Sequence, residues 1–341
     1  MQFFGFTRYW QRMLLWGVFI ILVLVLLVAV LSYKPKPDTV TYGMSFNVMY
    51  AKELGLDWQE VYDAFIDDLQ IRHLRLAAHW PMVEPEKGQY NFAELDYQIM
   101  RAEEVGAEVV FAVGRRLPRW PECHIPRWTD ELTKEEKSEA LLQYISKVIE
   151  RYRDSSAIIV WQVENEPFLE LFAFEHCGSL DTELFYAEIE LVRELDPSRP
   201  ILITDSGNLG TWHRPYRAGD AFGTSVYIHF WTPELGQFRT ILPPWFYRLK
   251  DNAMQLVFGR KDTVLIELST EPWLTAPIVE TPIEVQFSRM NLEMIQDIMS
   301  YAEKTRYEKQ YLWGGEWWYW LKLQGYPEIW EWGKMVFLPE R

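Results

Sequence analysis

The chain has 341 residues, with 49 acidic side chains against 34 basic and a net charge of −15. That balance excludes a nucleic-acid-binding surface as the main business of the protein and favours a self-repelling, soluble exterior. Aromatic residues make up 16% of the chain, and 17 of them are Trp; many pack a core, but so many indoles also suit a surface that meets the flat apolar faces of sugar rings.

The chain opens on a segment (1–12) with Arg8 and Arg12 and no acid. Residues 13–31 then run without a charge, long enough to cross a bilayer core as a helix. The exit (VAVLSYKPKP) has no small-x-small cleavage site, so the reading is an uncleaved signal anchor over 13–32 rather than a secretory signal. Lys34 and Lys36 nearly balance the basic residues before the span. The orientation, N-terminus in the cytoplasm and the rest outside, therefore leans on the function argued below. Residues 33–40 (YKPKPDTV) form a short, stiff, Pro-containing stalk.

From residue 41 to 341 strand and helix patterns alternate. Predicted strands lie at 42–47, 71–77, 108–114, 158–163, 201–204, 221–226, 263–267 and 310–313. Helices are predicted over 58–69, 93–105, 132–152, 182–195, 244–258 and 283–304, with a weak one after the fifth strand and a short one over 326–335. Eight such units in about 300 residues are the signature of an α/β (β/α)8 TIM barrel. An open doubly wound sheet would want a glycine-rich phosphate loop after its first strand; YGMSFNVMYAKELG carries none.

The fourth strand organises the rest. Residues 158–167 read IIVWQVENEP. A β-branched apolar run buried on both faces ends abruptly in Glu164, Asn165 and Glu166. Pro167 cannot donate to a ladder and stops the strand. Three polar residues at the tip of a buried strand are costly unless they face a solvated site. The C-terminal end of a barrel strand is where this architecture keeps its chemistry.

W-x-x-x-N-E-P at the end of a strand resembles the fourth strand of the retaining glycoside hydrolases built on (β/α)8 barrels, the cellulase and β-galactosidase-like branches among them. The resemblance implies that Glu166 is the general acid/base and that Asn165 hydrogen-bonds the sugar 2-hydroxyl. Retaining hydrolysis needs a second carboxyl about 5–5.5 Å away. Glu267 closes TVLIE on the seventh strand, where this clan places its nucleophile. The local IELSTEPW resembles the E-L-Q variant of that site. Glu271, four residues on, is the rival, expected to contact substrate or cap the loop; a nucleophile wants a rigid strand beneath it.

The same resemblance implies further site residues. Arg75 on the second strand would orient the nucleophile and help keep it ionised. His79, Trp80 and VEPEKGQYNF look like the strand-two loop of the β-galactosidase-like branches. Tyr227 sits where the clan keeps a Tyr bonded to the nucleophile, with His229 close by. Trp313 sits where it keeps a Trp floor under the sugar, and Glu316, Trp317 and Trp318 are set to line the same subsite. Two departures leave the sugar open: the strand-six His-x-Tyr is absent, and Gly114, Arg115 and Arg116 make a basic rim after the third strand.

Burial against Trp161 and the strand-eight aromatics, with a negative Glu267 beside it, should raise the pKa of Glu166 and keep it protonated for the first step. Cys123 and Cys177 follow the third and fourth strands, on one barrel face, and an extracytoplasmic domain would permit a bond between them. The six His show no ligand spacing, so no catalytic metal and no cofactor is expected. The partners expected are a carbohydrate substrate and the membrane. A transglycosylase would share every residue named, and a barrel that binds glycan without cleaving it is the other rival.

Overall fold

The computed structural model describes residues 3–337, with the side chains of 3–8 and 170–173 left aside; Met1 and Gln2 of the expected cytoplasmic segment and 338–341 of the expected barrel domain lie outside the described residues. Eight parallel strands close into a barrel: β1 (Thr41–Ser45), β2 (His73–Ala77), β3 (Glu108–Val113), β4 (Ile158–Val163), β5 (Ile201–Ser206), β6 (Ala221–Val226), β7 (Thr263–Ser269) and β8 (Lys309–Trp313). They are ordered 1 to 8 around the barrel, with β8 pairing back to β1. The chain therefore has the TIM-barrel architecture that its alternating pattern predicts.

Side-chain parity divides the core into two. Val110, Val160, Leu202, Ile266 and Tyr311 fill the barrel interior. A much larger shell, including Leu74, Leu76, Phe111, Trp161, Ile203 and Leu312, lies between the strands and the helices. Gly43 leaves room for the interior layer, since a Cβ there would stand 2.6 Å from the Tyr311 ring. Several of the outer helices are amphipathic and begin on side-chain caps. Lys134–Tyr152 begins on a capping box in which Thr133 and Glu136 satisfy each other's backbone N–H.

Several elements escape the pattern reading. The long helix expected over 283–304 is two, Ile283–Arg289 and Leu292–Glu303. Met290 is extended and Asn291 caps the second helix by accepting from the Met294 N–H, so a residue that favours caps starts a new helix in mid-run. A helix over Gly315–Leu323 follows β8, where tryptophans on more than one face hide the 3.6-residue period. A short helix over Val48–Glu53 follows β1, capped by Asn47. A hairpin of His229–Thr232 with Gly236–Arg239 stands on the rim after β6.

The N-terminal helix runs over Phe3–Leu31, and its apolar stretch Tyr9–Leu31 has no part buried against the barrel. Its length, 23 residues, suffices for a membrane span or a signal sequence. The segment that follows is not a free stalk. Asn252 Nδ2 donates to the carbonyls of Leu31 (2.6 Å) and Tyr33 (2.7 Å), and Arg248 Nε donates to that of Ser32 (2.7 Å). Lys34 pairs with the buried Asp251 at 2.7 Å. The helix Pro244–Phe258 thus satisfies the open carbonyls at the end of the N-terminal helix.

Candidate active site

At the C-terminal ends of the strands lies a cavity of about 480 Å³, walled by the end of β2 and by residues at the ends of, or in the loops after, β1, β3, β4, β6, β7 and β8. Asn165, Glu267, Arg75, Tyr227, Glu271, Trp313 and Glu316 all line it.

Arg75 ties the floor together. It projects inward from β2 and is buried. Nη1 donates to Glu267 Oε1 at 2.6 Å, Nη2 to Asn165 Oδ1 at 2.7 Å and Nε to Gln162 Oε1 at 2.9 Å. The guanidinium thereby spans β2, β4 and β7 with three acceptors. Oδ1 is taken by Arg75, which leaves the Nδ2 donor of Asn165, a residue of the cavity wall, for another acceptor. The second oxygen of Glu267 accepts from the Tyr227 hydroxyl at 2.8 Å. Burial, and next the negative Glu267, push the Tyr227 phenol far above its ordinary range, so it stays a donor.

Glu267 faces inward only because β7 is bulged. Ile266 points into the barrel interior, whereas Leu265 and Leu268 pack in the outer shell. Strict alternation would turn Glu267 outward with Leu265. Instead Thr224 pairs with Leu265 and the next β6 residue, Ser225, with Glu267. The extra residue on β7 puts two successive side chains on the inner face.

The tip of β4 is strained and held. Glu164 and Glu166 both adopt positive φ, 58° and 43°, a conformation costing about 1–3 kcal/mol each for a residue with a Cβ. Glu164 is buried, and its carboxylate accepts from the N–H of Arg115 (3.0 Å) and Arg116 (2.6 Å). Asn165 N donates to the Arg116 carbonyl at 2.6 Å, and Glu166 N donates to Thr204 Oγ1 at 2.8 Å. Gly114 makes this possible: at φ +126°, a Cβ on it would stand 2.7 Å from the Glu164 carboxyl carbon.

Glu166 is buried, and Ser225 Oγ donates to its Oε1 at 2.7 Å. It lies behind the cavity wall, on the β6 side, next to the strand position that pairs with Glu267. Burial first, then the negative Glu267 and Glu122, raise its carboxyl well above the ordinary range, against the Ser225 bond. The aromatic contact expected from Trp161 is not made. That ring faces the helices, donates to Asp196 at 2.8 Å and packs on Phe111.

Other expected residues are placed away from the cavity. Trp80 is fully buried, stacked on Tyr144 at 5.4 Å and bonded to Glu84 at 2.8 Å, because the helix Trp80–Val83 turns it into the core. Trp317 is likewise buried and donates to Gln286 at 2.7 Å, and Trp318 donates to the Thr270 carbonyl. His229 belongs to the rim hairpin and pairs with Asp297 at 3.0 Å. His79 sits beneath the wall, its ring 4.4 Å from that of His124 and within 3.3 Å of Asn47. Burial and then His124 hold His79 neutral.

Residues that the sequence reading passed over complete the wall. The loop after β3 brings in Arg119, Trp120 and Glu122. Arg119 lies over the Tyr50 ring and donates to Glu271 at 2.7 Å. Burial raises Glu271, against the pull of Arg119, and raises Glu316 to about 7. Trp273, after β7, packs edge-on against Tyr227 at 5.5 Å and is half-exposed at the mouth with Trp120. The Pro–aromatic run LPRWP after β3 was the available signal for that loop. Cys123 and Cys177 are bonded, joining the loops after β3 and β4. Among the described residues, no cluster of His, Cys, Asp and Glu is arranged to hold a metal.

Residues 76–186 match the family model described as Glycosyl hydrolase family 10. The protein described as "Probable mannan endo-1,4-beta-mannosidase A" from Aspergillus niger is 36% identical over 83 residues, covering 23% of this chain and 20% of that one. Among solved structures, the β-galactosidase from Rahnella sp. R3 superposes with a TM-score of 0.54 at 15% identity, covering 83% of this chain and 51% of that one. The xylanase 10B from Thermotoga maritima gives 0.51 at 16%, covering 81% and 83%. The chain spans less than half the length of the curated relatives it matches. It is thus similar to glycoside hydrolases of the (β/α)8-barrel clan, and the sequence match supports a glycosidase.

Proposed function

We propose that this chain is a membrane-anchored retaining β-glycoside hydrolase acting on oligo- or polysaccharide by double displacement, with Glu267 as nucleophile and Glu166 as acid/base. One observation carries the reading: two buried carboxyls, at the C-terminal ends of β4 and β7, stand in opposite environments. Glu267 receives a guanidinium and a phenol, both donors, which fix its two oxygens for attack. Among the described residues, no cation bonds the Glu166 carboxyl, and its raised pKa suits a proton donor. Protonating a leaving oxygen requires the Glu166 carboxyl to rotate from Ser225 toward the cavity. Once Glu267 is esterified its charge is gone, the Glu166 pKa falls, and Glu166 takes the proton of the incoming water. Arg75 and Tyr227 position Glu267. Asn165, Glu271, Trp313 and Glu316 are the substrate contacts.

In this reading residues 1–12 are cytoplasmic, 13–32 cross the membrane and 41–341 form the extracytoplasmic barrel. The Cys123–Cys177 bond supports that side. The test is a screen of aryl β-glycosides and β-linked polysaccharides with Glu166→Gln and Glu267→Gln as controls, and NMR of the first-formed anomer. Retention, with both variants losing nearly all turnover and Glu271→Gln keeping much of it, is the expected result. Inversion, or a dead Glu271→Gln beside a working Glu267→Gln, overturns the assignment.

A further inference from the structure

The catalytic proposal leaves the Glu122 carboxylate of this cavity without a task. Glu122 lines the same wall as Asn165 and Glu267, with its side chain 22% exposed. It sits at positive φ (66°), in a turn whose Glu122 N–H bonds the Arg119 carbonyl and whose Glu122 carbonyl accepts from Leu117 N–H at 2.8 Å. Arg116 holds one of its oxygens: Nε donates to Oε2 at 2.9 Å, and Nη2 lies 2.8 Å from the same atom. Among the described residues, none hydrogen-bonds Oε1.

The turn is fixed relative to the β4 tip from two sides. The Arg116 peptide bonds Glu164 and Asn165 directly, and the next residue after Glu122 is Cys123, bonded to Cys177. Holding a carboxylate here is unfavourable. Burial raises it, and so does Glu267, while Arg116 lowers it. An ion pair that served packing alone would be satisfied by Oε2 and could lie on the surface. Instead the second oxygen has no bond among the described residues, and Glu122 and Asn165, both tied to Arg116, line the same cavity. The two neighbours offer opposite halves of a hydrogen-bond code: Asn165 has its Oδ1 engaged by Arg75 and presents a donor, while Glu122 presents an acceptor. Two adjacent hydroxyls, one accepting and one donating, match that pair.

We infer that Glu122 is a specificity-determining residue whose Oε1 accepts a hydrogen bond from the ring hydroxyl next to the one met by Asn165, so that the site takes glycosides with free, adjacent 2- and 3-hydroxyls. The inference rests on the glycosidase reading above and deepens it. Substrates substituted at either position, 2-acetamido sugars included, are excluded.

The experiment uses the full chain in detergent micelles and the aryl β-glycoside that it cleaves best, together with the 2-deoxy and 3-deoxy forms of that glycoside. Wild type is expected to lose roughly 10²-fold in kcat/KM on the 3-deoxy compound, because the site's buried acceptor is then left unmet. Glu122→Ala should lose a similar factor on the parent, lose little more on the 3-deoxy compound, and keep the wild-type penalty for the 2-deoxy one. Glu122→Gln, which keeps the shape and one acceptor oxygen, should fall between and show the same coupling. Wild type cleaving parent and 3-deoxy glycosides equally well overturns the inference without any variant. An equal Glu122→Ala deficit on all three compounds overturns it too, leaving the glycosidase reading intact. No cleavage of any aryl glycoside by wild type, and no loss attributable to Glu166→Gln, overturns the glycosidase reading and the inference together.

Discussion

Arg75→Met is the most informative single change in the barrel. The guanidinium is buried and bonds Glu267, Asn165 and Gln162, so the change removes a cation and three donors at once. Removing one partner of a buried ion pair costs about 3–5 kcal/mol, mostly because the other charge is left uncompensated. With an unfolding entropy near ~2.1 cal/mol/K per residue over roughly 300 residues, the melting point should fall by about 5–8 °C. The assay is thermal unfolding of the full chain in detergent, followed by near-UV circular dichroism. Glu267→Gln provides the control, since the variant has no charge to strand. In a double-mutant cycle, Arg75→Met should cost at least ~2 kcal/mol less on that background than on wild type. A destabilisation below about 1 kcal/mol, or strict additivity with Glu267→Gln, would refute the claim that Arg75 compensates a buried carboxylate.

Gly114→Ala forces a Cβ to 2.7 Å from the Glu164 carboxyl and at a φ that alanine rarely adopts. It should cost about 1–3 kcal/mol and cut kcat well beyond what the lost stability explains, read by urea unfolding beside turnover. Replacing both Cys123 and Cys177 by Ser opens a loop of sequence separation 54. The loss should approach ~4 kcal/mol, with KM rising more than kcat falls, because Arg119, Trp120 and Glu122 ride on that loop; unchanged KM counts against the idea. Glu316 is raised by burial to about 7, so the folded chain keeps a proton that the unfolded chain gives up near the ordinary carboxyl range. Stability from this group is therefore full at low pH and falls as pH rises from about 4.5 through 7. Glu316→Gln should flatten that part of the stability–pH curve, and a slope equal to that of wild type there contradicts it.

Much of the architecture is legible in the sequence. Short apolar runs alternating with amphipathic helices, many of the runs closed by a polar or glycine-containing turn, leave few solutions other than a closed parallel barrel. The polar tip after IIVWQV and the carboxyl after TVLI stood out because buried strands do not end in charge without a solvated site to face. The apolar 13–31 run was equally plain as a helix long enough for a membrane span or a signal sequence.

What sequence alone left undecided depends on neighbours distant in the chain. Periodicity could not say which tryptophans face water: Trp80, Trp161 and Trp317 are sealed in the core, while Trp120 and Trp273 stand at the mouth. Nor could it say that the segment after the N-terminal helix would be fastened to a helix more than 200 residues away. Alternation, taken strictly, turns Glu267 outward, and only the bulge against Ser225 brings it to Arg75. Glu122 and Arg119 sit in a loop with no period at all, and it is the bonds to the β4 tip and the Cys123–Cys177 link that hold them in the cavity. The order of strands and the residue types at their ends are local properties, carried by composition and period. The direction in which a side chain points at a bulge or on a loop is a property of closure, decided when the eight strands and their loops come together.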